Sequence, residues 1–330
     1  MPVRPRTDAV ILSDAARVLA DLRWLLLSPA LLDDSVTAGY DRPGDAIAIQ
    51  RFDTAERTAI ESWLSELSVP GELIAALAGP GSQRLGRYAE RLLEFYLSQG
   101  PLHRVLATHL VLRNTASEGP ATGQTTGQTT GQTTGQTTGE IDALLTDSAG
   151  RKWHWELAVK FYLCVSQGDT TTADQLIGPN RRDSLANKIE KLMGRQLRQT
   201  PPIPWNEYSW SRAAFVRGMI FYRYGRIRAR CDGLAEDHCR GWWIPMCSVD
   251  ELPDEVYATV PRLHWMVPVP VVNPASILEG RQALVAHLRG SQALARAGAA
   301  SADSAVMLVR LRWHEGAWQE RDRGFVVPWA

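Results

Sequence analysis

The sequence predicts an α/β protein in which a mixed central sheet is flanked by helices. Two observations predict this class. Runs rich in β-branched and aromatic residues have strand composition, at residues 103–113, 154–161 and 213–222. Other segments repeat their apolar residues at helical spacing, at residues 8–27, 54–67 and 84–98. The hydrophobic fraction of 45% and the charged fraction of 22% are those of an ordinary globular protein.

The helical segments lie mainly in the N-terminal part of the chain. We expect residues 1–80 to form a helical extension packed on the core, and residues 81–330 to form the core with extra C-terminal strands. The clearest helix is residues 84–98, where Leu85, Tyr88 and Leu92 share an apolar face opposite a charged stripe.

A TGQTT repeat fills residues 122–139 and contains only glycine, glutamine and threonine. Because such a segment can bury no apolar surface, the sequence predicts a flexible loop between two core strands.

Residues 139–161 read as two strands joined by a turn at residues 147–150. Side chains two apart in a strand share a face, so Glu140 and Asp142 point the same way on the first strand. On the second strand, His154, Glu156 and Lys160 share one face and an apolar set faces the other.

Burying a carboxylate and an ammonium within an apolar strand without partners costs several kcal/mol. We therefore predict that Asp142 and Glu156 serve as hard oxygen ligands for Mg²⁺ or Mn²⁺, with Lys160 stabilising a metal-bound hydroxide or the charge on a phosphate. The alternative is a surface ion pair between Glu156 and Lys160, with Asp142 as an ordinary strand-end residue.

The formal net charge is zero, so the chain as a whole generates no basic field. Residues 181–230 are nevertheless strongly basic, which predicts a local surface for phosphate backbones. The predicted nucleic-acid-binding residues are Arg181, Arg182, Lys188, Lys191 and Arg195. Lys188 and Gln196 are the polar side chains of this region expected to reach the carboxylates. The alternative is a solvated helix face followed by an arginine-rich turn.

Further strands are predicted at residues 241–243, 263–272, 307–313 and 324–329, with a helix at 275–288. Trp242, Trp243 and Trp265 could stack on nucleobases, but we expect them in the core because large aromatic side chains dominate core burial.

The hairpin resembles the core of the PD-(D/E)XK, or restriction-endonuclease-like, nucleases. Gly139-Glu140-Ile141-Asp142 matches the G-x-x-D part of that pattern and Glu156 matches the acidic residue of E-x-K. The lysine departs from the pattern, because Ala158 occupies its position and Lys160 lies roughly 7 Å further along the strand. The resemblance implies a restriction-endonuclease-like sheet, and it makes Glu90 on the preceding helix a third candidate catalytic residue, with Glu94 as the alternative.

Nearly the full length, apart from the TGQTT repeat, also resembles domain-of-unknown-function family 1853. The resemblance rests on the segments DLRWLLLSPALL, RYAERLLEFYL, GEIDALL, HWELAVKFYL, IGPNRRDSL, GWW and RGFVVP. Together the resemblances imply a Mg²⁺-dependent nuclease acting on DNA or RNA. The alternatives are a degenerate nuclease fold that binds nucleic acid or protein without cutting, and a structural scaffold. The sequence does not predict the oligomeric state.

The sequence also bears on location. Its four cysteines are too irregularly spaced for a disulfide framework, which favours free thiols in a reducing compartment. Asp8 and Asp14 interrupt the first apolar stretch and argue against a signal peptide. No apolar run approaches the length of a membrane span, so we expect a soluble cytoplasmic protein.

Overall fold

The computed structural model describes residues 14–78, 84–113, 137–268, 277–296 and 305–329. The helices are α1 (Asp14–Leu27), α2 (Thr54–Glu66), α3 (Gly71–Ala78), α4 (Leu85–Gln99), α5 (Leu185–Ile189) and α6 (Gly280–Arg296). The strands are β1 (Ile47–Ile49), β2 (His103–Arg113), β3 (Thr137–Asp147), β4 (Lys152–Cys164), β5 (Leu176–Ile177), β6 (Ser211–Arg223), β7 (Cys239–Pro245), β8 (Val256–Thr259), β9 (Ile277–Glu279), β10 (Val306–His314) and β11 (Ala317–Val327).

These strands form one mixed sheet in the order β2-β3-β4-β6-β7-β11-β10-β8-β9, with β1 beside β6 and β5 beside β4. Four neighbouring strands at its centre, β4, β6, β7 and β11, run parallel. The flanking pairs β2–β3, β3–β4 and β10–β11 are antiparallel. The predicted class, a mixed central sheet flanked by helices, is confirmed.

The two faces of β4 bury against different layers, as its alternating pattern predicts. Trp155, Leu157 and Phe161 lie in one core cluster with buried residues of α1, α2 and α4. Ala158 and Tyr162 lie in a second cluster, with residues of α5 and the turns that follow it. The catalytic candidates of β4 therefore belong to the face that α5 covers.

Several predicted elements are confirmed, with small shifts at their ends. The strand at 103–113, the helices at 54–67 and 84–98, and the hairpin with its turn at 147–150 all form. The predicted helix at 8–27 is present from Asp14, and residues 8–13 lie outside the described residues. Residues 122–136 of the repeat also lie outside them, whereas 137–139 begin β3.

The predicted strand at 263–272 is wrong in its described part. Arg262–His264 form a 3₁₀ turn after Pro261, and the indole of Trp265 turns inward to donate to the carbonyl of Val260 at 3.2 Å. Residues 269–272 lie outside the described residues. Trp242, Trp243 and Trp265 are core residues, as predicted, with exposures of 7%, 5% and 8%.

Helix α5 begins at Leu185, after the exposed Arg181 and Arg182. The hydroxyl of Ser184 caps it by accepting a hydrogen bond from the N–H of Asn187 at 3.2 Å. Asp183 lies before this helix, and its carboxylate turns toward Lys160 on β4. The helix predicted at 275–288 begins at Gly280, after β9.

In the part of the chain that the structure describes, no helix combines the length and the apolar character needed to cross a membrane.

Candidate active site where β3 and β4 separate

The site lies where the ladder between β3 and β4 ends. That ladder runs from Thr146 and Lys152 to Ala143 and Trp155. Beyond it β3 continues to pair with β2, while β4 continues to pair with β6. Asp142 and Glu156 are the first residues past the end of the shared ladder, so the separation of the strands opens directly at the two carboxylates.

The two carboxylates accept backbone hydrogen bonds at this point. The N–H of Asp142 donates to Oε1 of Glu156 at 3.3 Å, and the N–H of Leu157 donates to Oδ2 of Asp142 at 2.8 Å. Side-chain oxygens thus accept from N–H groups that lie beyond the ladder, and both carboxylates are fixed to the backbone of the opposite strand. The sequence prediction that Asp142 and Glu156 lie together is confirmed.

Glu156 is fully buried, at 0% exposure, and is held by two further side chains. Nε2 of His154 lies 3.0 Å from Oε1, and Nε2 of Gln196 donates to Oε2 at 2.6 Å. Burial lowers the pKa of His154 to about 4, so the ring is neutral and donates its Nε2–H to the carboxylate. The amide of Gln196 comes from the turn after α5, so the packing of that layer positions Glu156.

Lys188 supplies a positive charge that acts on both carboxylates. Its Nζ donates to Oε1 of Gln196 at 3.2 Å, which completes a chain from Lys188 through Gln196 to Glu156. The Lys188 charge lowers the pKa values of both Asp142 and Glu156, although burial outweighs it. The pKa of Lys188 itself is lowered, first by burial and then by the charge of Lys160.

Burial raises the pKa of Asp142 to about 7, and the neighbouring charge of Glu156 adds to this effect. Burial likewise raises the pKa of Glu156 to about 7. Two interacting carboxylates titrate as a pair, so near neutral pH the pair retains a proton unless a cation takes its place.

Helix α4 brings a third carboxylate to the same cleft. Glu90 lines it together with Asp142, Glu94 and His109. Burial raises the pKa of Glu90, and the charge of Asp142 raises it further. The guanidinium of Arg87, 3.1 Å from the Glu90 carboxylate, opposes this increase. The predicted helix thus places Glu90 beside Asp142.

Sequence reasoning missed His109 on β2. Its Nδ1 lies 2.9 Å from Oε1 of Glu140, and its Nε2 lies 3.5 Å from Oε2 of Glu94. The residue has a left-handed φ of 51° in a strand that carries a register shift. No period-two pattern predicts that orientation, because the irregular backbone breaks the alternation.

Lys160 lies on the expected face but is held elsewhere. Its Nζ donates to Oδ2 of Asp183 at 2.6 Å, and the hydroxyl of Tyr162 donates to the same oxygen at 3.3 Å. Among the described residues its ion-pair partner is Asp183 rather than Asp142 or Glu156. The amine linked to the pair is therefore Lys188, which the sequence predicted both as a nucleic-acid contact and as a side chain that reaches the site.

The other basic residues of this stretch differ in their exposure and partners. Arg181, Arg182, Lys191 and Arg195 are exposed. Arg198 and Arg212 instead form ion pairs with Asp45 of the N-terminal segment. Arg217 is buried, with its guanidinium 4.1 Å from the ring centre of Phe215. The basic stretch of sequence is thus only in part a basic surface.

The carboxylate pair offers oxygen ligands of the type that Mg²⁺ prefers. The described residues contain no group of three or more His, Cys, Asp or Glu side chains arranged to hold a metal ion. Mg²⁺, however, is commonly bound through one or two carboxylates and several waters. Each carboxylate oxygen has two lone pairs, and the contacts of Glu156 leave one on Oε2, while Asp142 has at least one on Oδ2. The donor set fits a Mg²⁺ or Mn²⁺ ion held by two carboxylates.

Fold and site together define a class: an α/β protein with a large mixed sheet that carries one buried and one partly buried carboxylate where two of its strands separate. The chain belongs to the family described as Domain of unknown function (DUF1853), whose model matches residues 20–327. The sequence resemblance to that family is thereby confirmed. Searches of curated proteins and of solved structures found no significant match.

Proposed function

We propose that the protein is a metal-dependent nuclease with a restriction-endonuclease-like core, which hydrolyses phosphodiester bonds in DNA or RNA. The observation that carries this proposal is the pairing of the buried Glu156 with the partly buried Asp142 at the end of the β3–β4 ladder, with Lys188 linked to Glu156 through Gln196. Burying two carboxylates costs folding free energy, and a bound divalent cation would offset that cost.

In this proposal Asp142 and Glu156 hold Mg²⁺ or Mn²⁺, and Glu90 lies at the edge of the same cleft. When bound, such an ion supplies a nucleophile at neutral pH and stabilises charge on the phosphate. His154 and Gln196 fix the orientation of the Glu156 carboxylate, as residues around metal ligands commonly do. Exposed Arg181, Arg182, Lys191 and Arg195 are available to contact phosphates of the strand.

The amine is assigned to Lys188. An ammonium near the reacting phosphate can donate hydrogen bonds to its oxygens and stabilise the developing negative charge. Lys188 acts electrostatically on both carboxylates, whereas Lys160 is paired with Asp183 at 2.6 Å. The sequence-based assignment of this role to Lys160 stays an alternative, and the two lysines form a matched pair for experiment.

The test offers purified protein single- and double-stranded DNA and RNA with Mg²⁺ or Mn²⁺, and with EDTA as a control. We expect cleavage that depends on the ion, that Asp142→Asn and Glu156→Gln abolish, and that Lys188→Gln reduces by a hundredfold or more. Lys160→Gln, the same chemical change four residues beyond Glu156, should retain most of the activity. Cleavage that survives in Asp142→Asn would refute the assignment.

A second candidate function is binding of nucleic acid or a protein partner without hydrolysis. It is favoured by Ala158 at the lysine position of the E-x-K pattern and by the neutralisation of Lys160 by Asp183. In that case anisotropy should detect salt-dependent binding of labelled nucleic acid or protein, with no turnover and no change on adding Mg²⁺. The slope of log affinity against log salt for nucleic acid would count the phosphates contacted.

A further inference from the structure

A second cavity, of about 410 Å³, lies at a different edge of the sheet. It opens at the carboxyl ends of the four parallel strands β4, β6, β7 and β11. Its lining includes Ser166 after β4, Arg223 and Arg226 at the end of β6, Trp243 on β7 and Trp329 after β11. In open α/β sheets, the crevice outside the carboxyl ends of the strands is where ligands bind.

The charge of this cavity has one sign. Arg181, Arg223 and Arg226 line it, and none of its lining residues is acidic. No ion pair joins any of the three guanidinium groups to a carboxylate within the described ranges, although nine other arginines form such pairs there. Three arginines gathered without a counter-charge repel one another, and an anion in the cavity would relieve that repulsion.

Tryptophan side chains hold two of these arginines in place. The guanidinium of Arg181 lies 5.2 Å from the ring centre of Trp329, and that of Arg223 lies 5.0 Å from the ring centre of Trp243. The two indoles contact each other, with ring centres 5.6 Å apart. Stacking on an aromatic face leaves the N–H edge of a guanidinium available, and that edge matches the oxygens of a phosphate.

The size and lining of the cavity indicate more than a bare anion. Its volume falls within the range of about 300–1,000 Å³ that is typical of pockets for small organic ligands. Val165, Ile177 and the two indoles provide apolar surface beside the arginines. The ligand that matches both the arginines and the apolar surface is an organic phosphate, such as a nucleotide.

The cavity is distinct from the carboxylate site. Val165 lies nine residues beyond Glu156 along β4, which corresponds to about 30 Å at the rise of an extended strand.

We propose that this cavity binds the phosphate group of an organic phosphate, with Arg181, Arg223 and Arg226 as its ligands. The phosphate is carried either by a free small molecule or by the end of a nucleic-acid strand. The proposal stands on the cavity alone and does not require that the carboxylate site cleave nucleic acid.

The test is calorimetric titration of the full chain in EDTA, which prevents metal-dependent cleavage. The probes are adenosine 5′-monophosphate, adenosine, and one short DNA oligonucleotide with and without a 5′-phosphate. We expect binding that depends on the phosphate. Binding of adenosine 5′-monophosphate but not of the 5′-phosphorylated oligonucleotide would identify a free small molecule as the ligand. Binding of the 5′-phosphorylated oligonucleotide but not of adenosine 5′-monophosphate would identify a strand end.

The variants are Arg226→Gln in the cavity and Arg228→Gln just outside it. Both residues are exposed, so neither substitution removes a buried contact. Arg226→Gln should weaken phosphate-dependent binding about tenfold or more, because charge-assisted hydrogen bonds are lost, and Arg228→Gln should leave it within twofold. Absence of phosphate-dependent binding at millimolar ligand, or equal losses in the two variants, would overturn the proposal.

Discussion

Replacing Asp142 by Asn should stabilise the protein at alkaline pH in the absence of metal. Burial raises the pKa of Asp142 from 3.8 to about 7, so between these values the folded protein holds more protons than the unfolded chain. The free energy of unfolding contributed by this group therefore falls as pH rises and reaches its lowest value above about pH 7. This difference in pKa between the unfolded and folded states corresponds to at most about 4 kcal/mol of unfolding free energy. Because Asp142 and Glu156 share the charge of the pair, we expect Asp142→Asn to gain about 2–4 kcal/mol of stability at pH 8.

Asn is a suitable replacement because its amide oxygen can still accept the hydrogen bond from the N–H of Leu157. Urea unfolding in EDTA at pH 5 and pH 8 measures the effect, with unchanged m-values as the check on two-state behaviour. The variant should exceed the wild type in stability at pH 8 and by much less at pH 5. Asp174→Asn, at an exposed carboxylate, is the control and should change stability by less than about 0.5 kcal/mol at either pH.

Added Mg²⁺ should reverse the order of stability. Ligand that binds only the folded state stabilises it by mass action, and Asp142→Asn should lose most of that gain. A variant less stable than the wild type at pH 8 in EDTA would refute the reasoning that the buried carboxylate pair is an unfavourable arrangement without a cation.

Three further predictions concern the rest of the fold and the site. Burial raises the pKa of Asp21 to about 6, so its contribution to stability is lost as pH rises through that value. Asp21→Asn keeps an acceptor for the Tyr88 hydroxyl. In thermal unfolding it should raise stability by about 1–3 kcal/mol at pH 8 and by little at pH 4. An equal gain at both pH values would contradict this prediction. A Cβ on Gly218 would lie 1.9 Å from the carbonyl oxygen of Lys160, so Gly218→Ala should lower the free energy of unfolding by more than about 2 kcal/mol. The control is Gly86→Ala on an open helix surface, which should be neutral or stabilising by up to about 1 kcal/mol. Equal urea unfolding midpoints for Gly218→Ala and the wild type would contradict this prediction and show that β4 and β6 can move apart without loss of stability. Isothermal titration of Mg²⁺ in two buffers of different ionisation enthalpy should show proton release near pH 7, and Glu156→Gln should abolish both binding and release.

The sequence alone predicted the elements whose signals are local. Helix α4 has an apolar face at regular helical spacing, and the turn at 147–150 fixes which residues of β3 and β4 lie opposite one another. Because a hairpin brings near neighbours in sequence together, the proximity of Asp142 and Glu156 followed from the same local pattern.

The sequence offered Lys188 and Gln196 as candidates to reach the carboxylates, but only the tertiary structure decided how they connect to Glu156 and that Lys160 pairs elsewhere. Lys188 and Gln196 reach Glu156 from a segment 32 and 40 residues further along the chain, and Lys160 is drawn to Asp183 because the segment before α5 packs against β4. The arginine-lined cavity is likewise assembled from strands that are neighbours in the sheet but distant in the chain. Residue periodicity specifies which face a side chain occupies, whereas the partner on that face depends on how separate elements pack, and that packing is a property of the whole chain.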